Sequence, residues 1–140
     1  NVDGYISAKQ SAQDRLRISK ALLEELLRCY QSRPASGSAS QISTAQAKLA
    51  DLNTRIAQID SEISDARNIR TVLLDYQQKL TVAQTISAVQ TLVDQYYEEI
   101  DEDEIASESD RAVNDLAKLQ TELTTLDSQT QSSLNTCRGQ

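Results

Sequence analysis

The sequence has 140 residues and a net charge of −7, and it contains no Phe, Trp, Met or His. Three Gly and one Pro are too few for the turns of an all-β fold, and without His the commonest metal ligand is missing. With only 39% apolar residues, we expect an all-α fold in which residues 1–140 form a single, elongated helical domain.

The first predicted helix runs from about Gly4 to Gln31, with Asp3 as its cap. Its apolar residues recur every seven positions in two rows, which is typical of coiled-coil-like packing. The segment that follows, Ser32–Ser40, holds the only Pro and four Ser, and is predicted to be a linker. The two rows are Tyr5, Ala12, Ser19 and Leu26, and Leu16, Leu23 and Tyr30.

Ser38 and Gln41 have the spacing of a capping box, which predicts the start of a second helix. This helix carries the longest periodic pattern, a seam typical of packing between helices, and it implies no cofactor. Near Ile69 the pattern slips, so the register is disturbed there. The two rows of the seam are Ile42, Leu49, Ile56 and Ile63, and Ala45, Leu52, Ile59, Ala66, Leu73 and Leu80.

A second capping-box spacing, Thr81 to Gln84, coincides with the end of this seam. We therefore place a helix break between Leu80 and Thr85. A shorter apolar stripe follows the break and leads into a run of acidic residues. The stripe consists of Ile86, Val89, Val93, Tyr96 and Ile100.

The last helix is predicted to begin at Ser107 or Ser109 and to reach Cys137. Glu108 and Asp110 would lie near its positive N-terminal end, where carboxylates are favourable. Its apolar seam is regular and consists of Ala112, Leu116, Leu119, Leu123 and Leu126.

Cys29 and Cys137 are the only cysteines, and we interpret them as a disulfide formed in an oxidising compartment. A disulfide needs Cα atoms within about 7 Å, and a helix rises about 1.5 Å per residue. Four alternating helices would leave the cysteines at opposite ends, whereas one reversal near residues 81–85 brings them together. We therefore predict an antiparallel bundle of three arms, the third interrupted at the acidic stretch.

The acidic stretch Asp94–Asp110 contains nine of the 21 acidic residues and no basic one. The other 12 acids are outnumbered by 14 bases, so the negative charge is local. Tyr96 fits the apolar stripe and Tyr97 does not, and either is a candidate for sulfation in a secreted protein. The predicted partner-binding residues are Tyr97, Glu98, Glu99, Asp101, Glu102, Asp103 and Glu104.

Several function classes are disfavoured by the same residues. A nucleophilic Cys would lack a His base, the acidic run lacks the spacing of a calcium loop, and there is no glycine-rich phosphate loop. The negative field repels nucleic acids and anionic membranes. We therefore expect a non-enzymatic protein without metal or cofactor, whose partner is a protein with a basic surface.

Asn1 as a processed start, the pair Cys29 and Cys137, and the run Asp94–Asp110 resemble the design of secreted salivary proteins from blood-feeding insects. The family concerned is that of the anopheline albicin-like complement inhibitors. The resemblance implies secretion and inhibition of a host protease cascade through binding of an assembled complex, and it assigns no catalytic residue.

The sequence thus favours a secreted binding protein that inhibits or sequesters a partner, with a complement or coagulation component preferred. The alternative is a structural protein that oligomerises through the Ile42–Leu80 seam. A third interpretation is a carrier for a small apolar ligand between helices. The oligomeric state stays open.

Overall fold

The computed structural model describes residues 1–139, which fold into four α-helices joined by short connections. These are α1 (Val2–Ser32), α2 (Ala39–Val82), α3 (Ile86–Glu99) and α4 (Glu102–Cys137). The predicted linker is confirmed and includes a 3-10 turn at Pro34–Ser36. The all-α prediction is therefore confirmed.

Helix α1 lies between α2 and α4 and packs against both. Two ion pairs show the direction of α2 relative to α1: Lys9 contacts Glu62 at 3.1 Å, and Asp3 contacts Arg70 at 3.3 Å. Residue numbers fall along α1 as they rise along α2, so these two helices are antiparallel.

Helix α4 runs parallel to α1. Arg15 in the middle of α1 contacts Asp127 at 2.6 Å, and a disulfide joins Cys29 to Cys137 near the C-terminal ends, with 6.3 Å between the Cα atoms. The chain therefore reverses once after α2 and climbs back through α3 and α4. This confirms the three-armed bundle, including the interruption of its third arm.

The core is built from leucines that α1, α2 and α4 bring together. Complete burial of one such side chain stabilises the fold by about 1.5–3 kcal/mol. The leucines exposed by at most 1% are Leu16, Leu23, Leu52, Leu123 and Leu134.

Helix α2 has 44 residues and α1 has 31, so α2 extends beyond the start of α1. Past Arg70, residues 71–82 of α2 pack against α3, whose packing partner is α2 rather than α1. We call residues 71–82 together with α3 the terminal hairpin. Tyr76 is buried in it, whereas α3 itself has no buried residue.

The helix starts follow capping chemistry, with corrections at individual residues. Asp3 does not cap α1, because Asn1 Oδ1 accepts the hydrogen bond from the Gly4 backbone N–H at 2.7 Å. The capping box of Ser38 and Gln41 at the start of α2 is confirmed in both of its hydrogen bonds.

The predicted break after the seam is confirmed at residues 83–85, but the capping box predicted at Thr81–Gln84 is wrong. Helix α2 continues past Thr81, whose hydroxyl donates a hydrogen bond within that helix. The cap of α3 is Thr85, whose hydroxyl oxygen accepts from the Ala88 backbone N–H at 3.0 Å.

Candidate functional site

The acidic stretch Asp94–Asp110 is helical except at two residues. Helix α3 ends at Glu99 and α4 begins at Glu102, and Ile100 and Asp101 connect them in an extended conformation. The stretch therefore consists of the last turns of α3, this junction and the first turns of α4.

Asp101 is the cap of α4, so the prediction that α4 begins at Ser107 or Ser109 is wrong. Asp101 Oδ1 accepts from the Glu104 backbone N–H at 3.0 Å, and the carboxylates of the first turn favour this start by their interaction with the helix dipole. Ile100 is only 7% exposed, which anchors the junction one residue before the cap.

All seven predicted partner-binding residues are exposed to solvent. Tyr97 has 66% of its surface exposed, in keeping with its position off the apolar stripe. Because the residues are nearly consecutive across the α3–α4 connection, they form one local surface. We call this surface, Tyr97–Glu104 without Ile100, the acidic junction.

Two of its carboxylates accept hydrogen bonds from tyrosines. The hydroxyl of Tyr76 donates to Glu99 at 2.5 Å, and that of Tyr96 donates to Glu102 at 2.5 Å. The Tyr76 and Tyr96 rings meet edge to face with 5.7 Å between their centroids, and Tyr97 stacks in the same way on Tyr96 at 5.4 Å. These contacts hold the C-terminal end of α3 against α2 and the first turn of α4.

Tyr76 was not predicted as part of the site. Its link to Glu99 depends on how far α3 is shifted along α2 by the turn at residues 83–85. The predicted reversal places the end of α2 beside α3, but the register between the two helices follows only from their packing.

The hydrogen bond to Glu102 is the main reason that the pKa of Tyr96 rises to about 12. The pKa of Tyr76 is raised in the same way by its hydrogen bond to Glu99. Both pKa values rise because ionising the hydroxyl would break its hydrogen bond and place a second negative charge beside the carboxylate.

The remaining members of the acidic junction have side chains without such contacts. Tyr97, Glu98, Asp103 and Glu104 make no side-chain hydrogen bond or ion pair with any residue in 1–139. Their polar atoms face solvent and are available to a partner.

Ion pairing separates the acidic stretch from the other acidic residues of the described chain. Eight ion pairs occur, and each uses a different carboxylate outside Asp94–Asp110. None of the nine carboxylates within the stretch is ion-paired to a residue in 1–139. The negative field there is therefore not neutralised by ion pairing within residues 1–139, which favours attraction of a basic surface.

The grooves between the helices are poor candidates for a binding site for a small apolar ligand. One of about 540 Å³ lies between α2 and α4, and Leu52 and Leu126 contribute to its lining. It is an open surface groove rather than an enclosed cavity, and Arg55 pairs with Glu122 along it at 2.8 Å, so a bound apolar ligand would stay exposed to solvent. The interpretation as an apolar-ligand carrier is not favoured by this arrangement.

Residues 1–139 contain neither a metal-binding cluster nor a membrane-spanning helix. No three Asp, Glu or Cys side chains in this part of the chain are grouped as a metal site would require. None of its helices combines the length and the apolar character needed to cross a bilayer.

Comparison of the chain with models of protein families, with curated proteins and with solved structures gives no match.

Proposed function

We propose that this chain is a secreted, non-enzymatic binding protein that inhibits or sequesters a protein with a basic surface. The acidic junction is the main contact. The observation that carries this proposal is the separation of charge: the nine carboxylates of Asp94–Asp110 are free of ion pairs within residues 1–139, whereas eight carboxylates elsewhere are paired.

Clustered charges of this kind act mainly on the rate at which partners meet. At physiological ionic strength the field of exposed charges is largely screened beyond about 8 Å. Within that distance, a cluster of carboxylates without ion pairs creates a negative field at its own surface. Encounter with a basic protein is accelerated and depends strongly on salt. The disulfide supports an oxidising, extracellular setting, and the resemblance to the albicin-like complement inhibitors favours a complement or coagulation component.

A variant that removes charge without removing structural contacts tests this proposal. Glu98→Gln, Asp103→Asn and Glu104→Gln together spare the cap Asp101 and the tyrosine acceptors. The matched control, Glu24→Gln with Asp65→Asn and Asp115→Asn, makes the same change in net charge at three carboxylates elsewhere that also lack an ion pair within residues 1–139.

The measurement is capture of proteins from blood plasma on the immobilised chain at low and high salt, together with complement haemolysis and clotting assays. We expect the unaltered chain and the control to retain a basic protein at low salt and to inhibit one cascade, and the junction variant to lose both effects. Undiminished capture by the junction variant would rule out the acidic junction as the contact. No effect in either assay would remove the cascade proposal.

The alternative of assembly through the Ile42–Leu80 seam is less well supported. Ala45, Leu52 and Ile59 of this seam are buried in the core of their own chain, so pairing between chains would require the bundle to open. Light scattering checks this point, because the alternative requires a stable oligomer.

A further inference from the structure

The terminal hairpin exposes most of the apolar surface that the fold leaves uncovered. Ten large apolar side chains are exposed in residues 1–139, and eight of them lie between positions 69 and 97. Contiguous exposed apolar surface on a soluble chain marks an interaction site. The eight are Ile69, Leu74, Leu80, Val82, Ile86, Val89, Val93 and Tyr97.

Helix α3 has one apolar face towards α2 and a second that is open. Tyr96, whose ring meets Tyr76 of α2, belongs to the first face. Ile86, Val93 and Tyr97 follow one another at helical spacing on the second, adjacent face, with exposed fractions of 79%, 37% and 66%. We call these three side chains the outer row of α3, and it is roughly 16 Å long at 1.5 Å per residue.

The charge around the outer row changes along its length. No charged residue occurs between Lys79 and Asp94, so the Ile86 end of the row is neutral. At the other end, Asp94 and Glu98 each follow a member of the row by one residue, about a quarter-turn further round the helix. The row then leads into the acidic junction, where the carboxylates have no ion pairs.

We propose that the outer row of α3 binds an amphipathic helix of a partner protein, with the basic residues of that helix on Asp94, Glu98 and the acidic junction. This inference deepens the proposed function and rests on it, because the same partner supplies the basic surface. The partner helix presents apolar residues at i, i+3 or i+4, and i+7, and Lys or Arg beyond them at one end.

A helix fits because a two-helix hairpin cannot cover its own apolar faces. Elsewhere in this chain three helices surround the core, whereas α3 packs on α2 and has no buried residue. A third helix along α3 would complete the same arrangement at this end. A second copy of this chain fits less well, since residues 80–110 contain no basic residue that could contact the acidic junction.

The test uses synthetic peptides and the intact chain. The first peptide is an amphipathic helix of Leu and Lys with about 18 residues, or five turns. The second has the same composition in an order that removes the apolar face. Titration by fluorescence anisotropy should show the first peptide binding roughly tenfold or more tightly than the second, as expected when two or three apolar side chains become buried.

Two variants locate the contact. Ile86→Ser with Val93→Ser removes two members of the outer row without touching the acidic junction, and should weaken binding of the amphipathic peptide roughly tenfold while leaving the scrambled peptide unaffected. Ile18→Ser with Val113→Ser is the matched control, because both side chains are exposed apolar residues outside the hairpin, at 61% and 54%. The control should bind both peptides as the unaltered chain does.

Several outcomes would overturn the inference. Equal binding of the two peptides, or no effect of the Ile86 and Val93 changes, would mean that charge alone acts; the proposed function would survive. A concentration-dependent dimer in sedimentation that disappears in this variant would assign the row to a second copy. If the unaltered chain bound phosphatidylcholine vesicles and the outer-row variant did not, the row would be assigned to a lipid surface. Failure of the plasma experiment, by contrast, would refute the proposed function itself.

Discussion

Individual carboxylates of the acidic junction have different tasks, although the sequence presents them as one run. Asp101 caps α4, Glu99 and Glu102 hold tyrosine hydroxyls, and Glu98 and Asp103 face solvent without a partner in residues 1–139. Substituting the whole run would therefore mix loss of structure with loss of binding.

The Tyr96–Glu102 hydrogen bond gives a prediction about pH. The bond raises the pKa of Tyr96 from 10.0 to about 12, so the folded chain holds this proton more tightly than the unfolded chain does. Its contribution to stability is full below about pH 10 and is lost as the pH rises through about 12. Glu102→Gln keeps an acceptor but removes the charge, and should lower the pKa of Tyr96.

The measurement is a spectrophotometric titration of tyrosinate absorbance in the unaltered chain and in the Glu102→Gln variant. Asp103→Asn is the control, because it removes one neighbouring charge without touching a tyrosine. If Glu102→Gln and Asp103→Asn gave the same titration curve, the hydrogen bond would not be the cause of the shift.

At the scale of the helix, the start of α4 depends on one side chain. Asp101→Ala removes the acceptor for the Glu104 backbone N–H and should lower the free energy of unfolding by about 1 kcal/mol. Asp101→Asn retains an acceptor and should cost a few tenths at most. Urea unfolding followed by circular dichroism measures both, and equal stabilities of the two variants would exclude capping as the role of Asp101.

The helices themselves were predictable, because the heptad rows of α1 and α2 and the two cysteines are local or pairwise signals. The exact residues at which the helices begin were harder to predict from the sequence. Asp101, Ser107 and Ser109 are all good caps by residue type, and the choice among them follows from the burial of Ile100, which depends on tertiary packing. The exposure of the outer row of α3 likewise could not be predicted from periodicity, because periodicity identifies an apolar face but not what covers it.

Across the whole molecule, the two ends have different roles. The disulfide and the linker lie at one end, and the terminal hairpin with the acidic junction lies at the other, separated by most of α4, which is about 54 Å long at 1.5 Å per residue. The end that carries the proposed contact is also the end where α1 no longer covers α2. The contacts that hold the terminal hairpin therefore involve neither cysteine.

This separation gives a prediction for the variant Cys29→Ser with Cys137→Ser. The disulfide links residues 108 positions apart, so its loss should lower the free energy of unfolding by about 4–5 kcal/mol through the entropy of the unfolded chain. Urea unfolding measures the loss, and the unaltered chain treated with a reductant should match the variant. The change that Glu102→Gln makes in the alkaline tyrosine titration should be the same with and without the disulfide, because the Tyr96–Glu102 hydrogen bond lies at the opposite end. If loss of the disulfide altered that change, the two ends would be coupled through α4, and the terminal hairpin would not be an independent binding element.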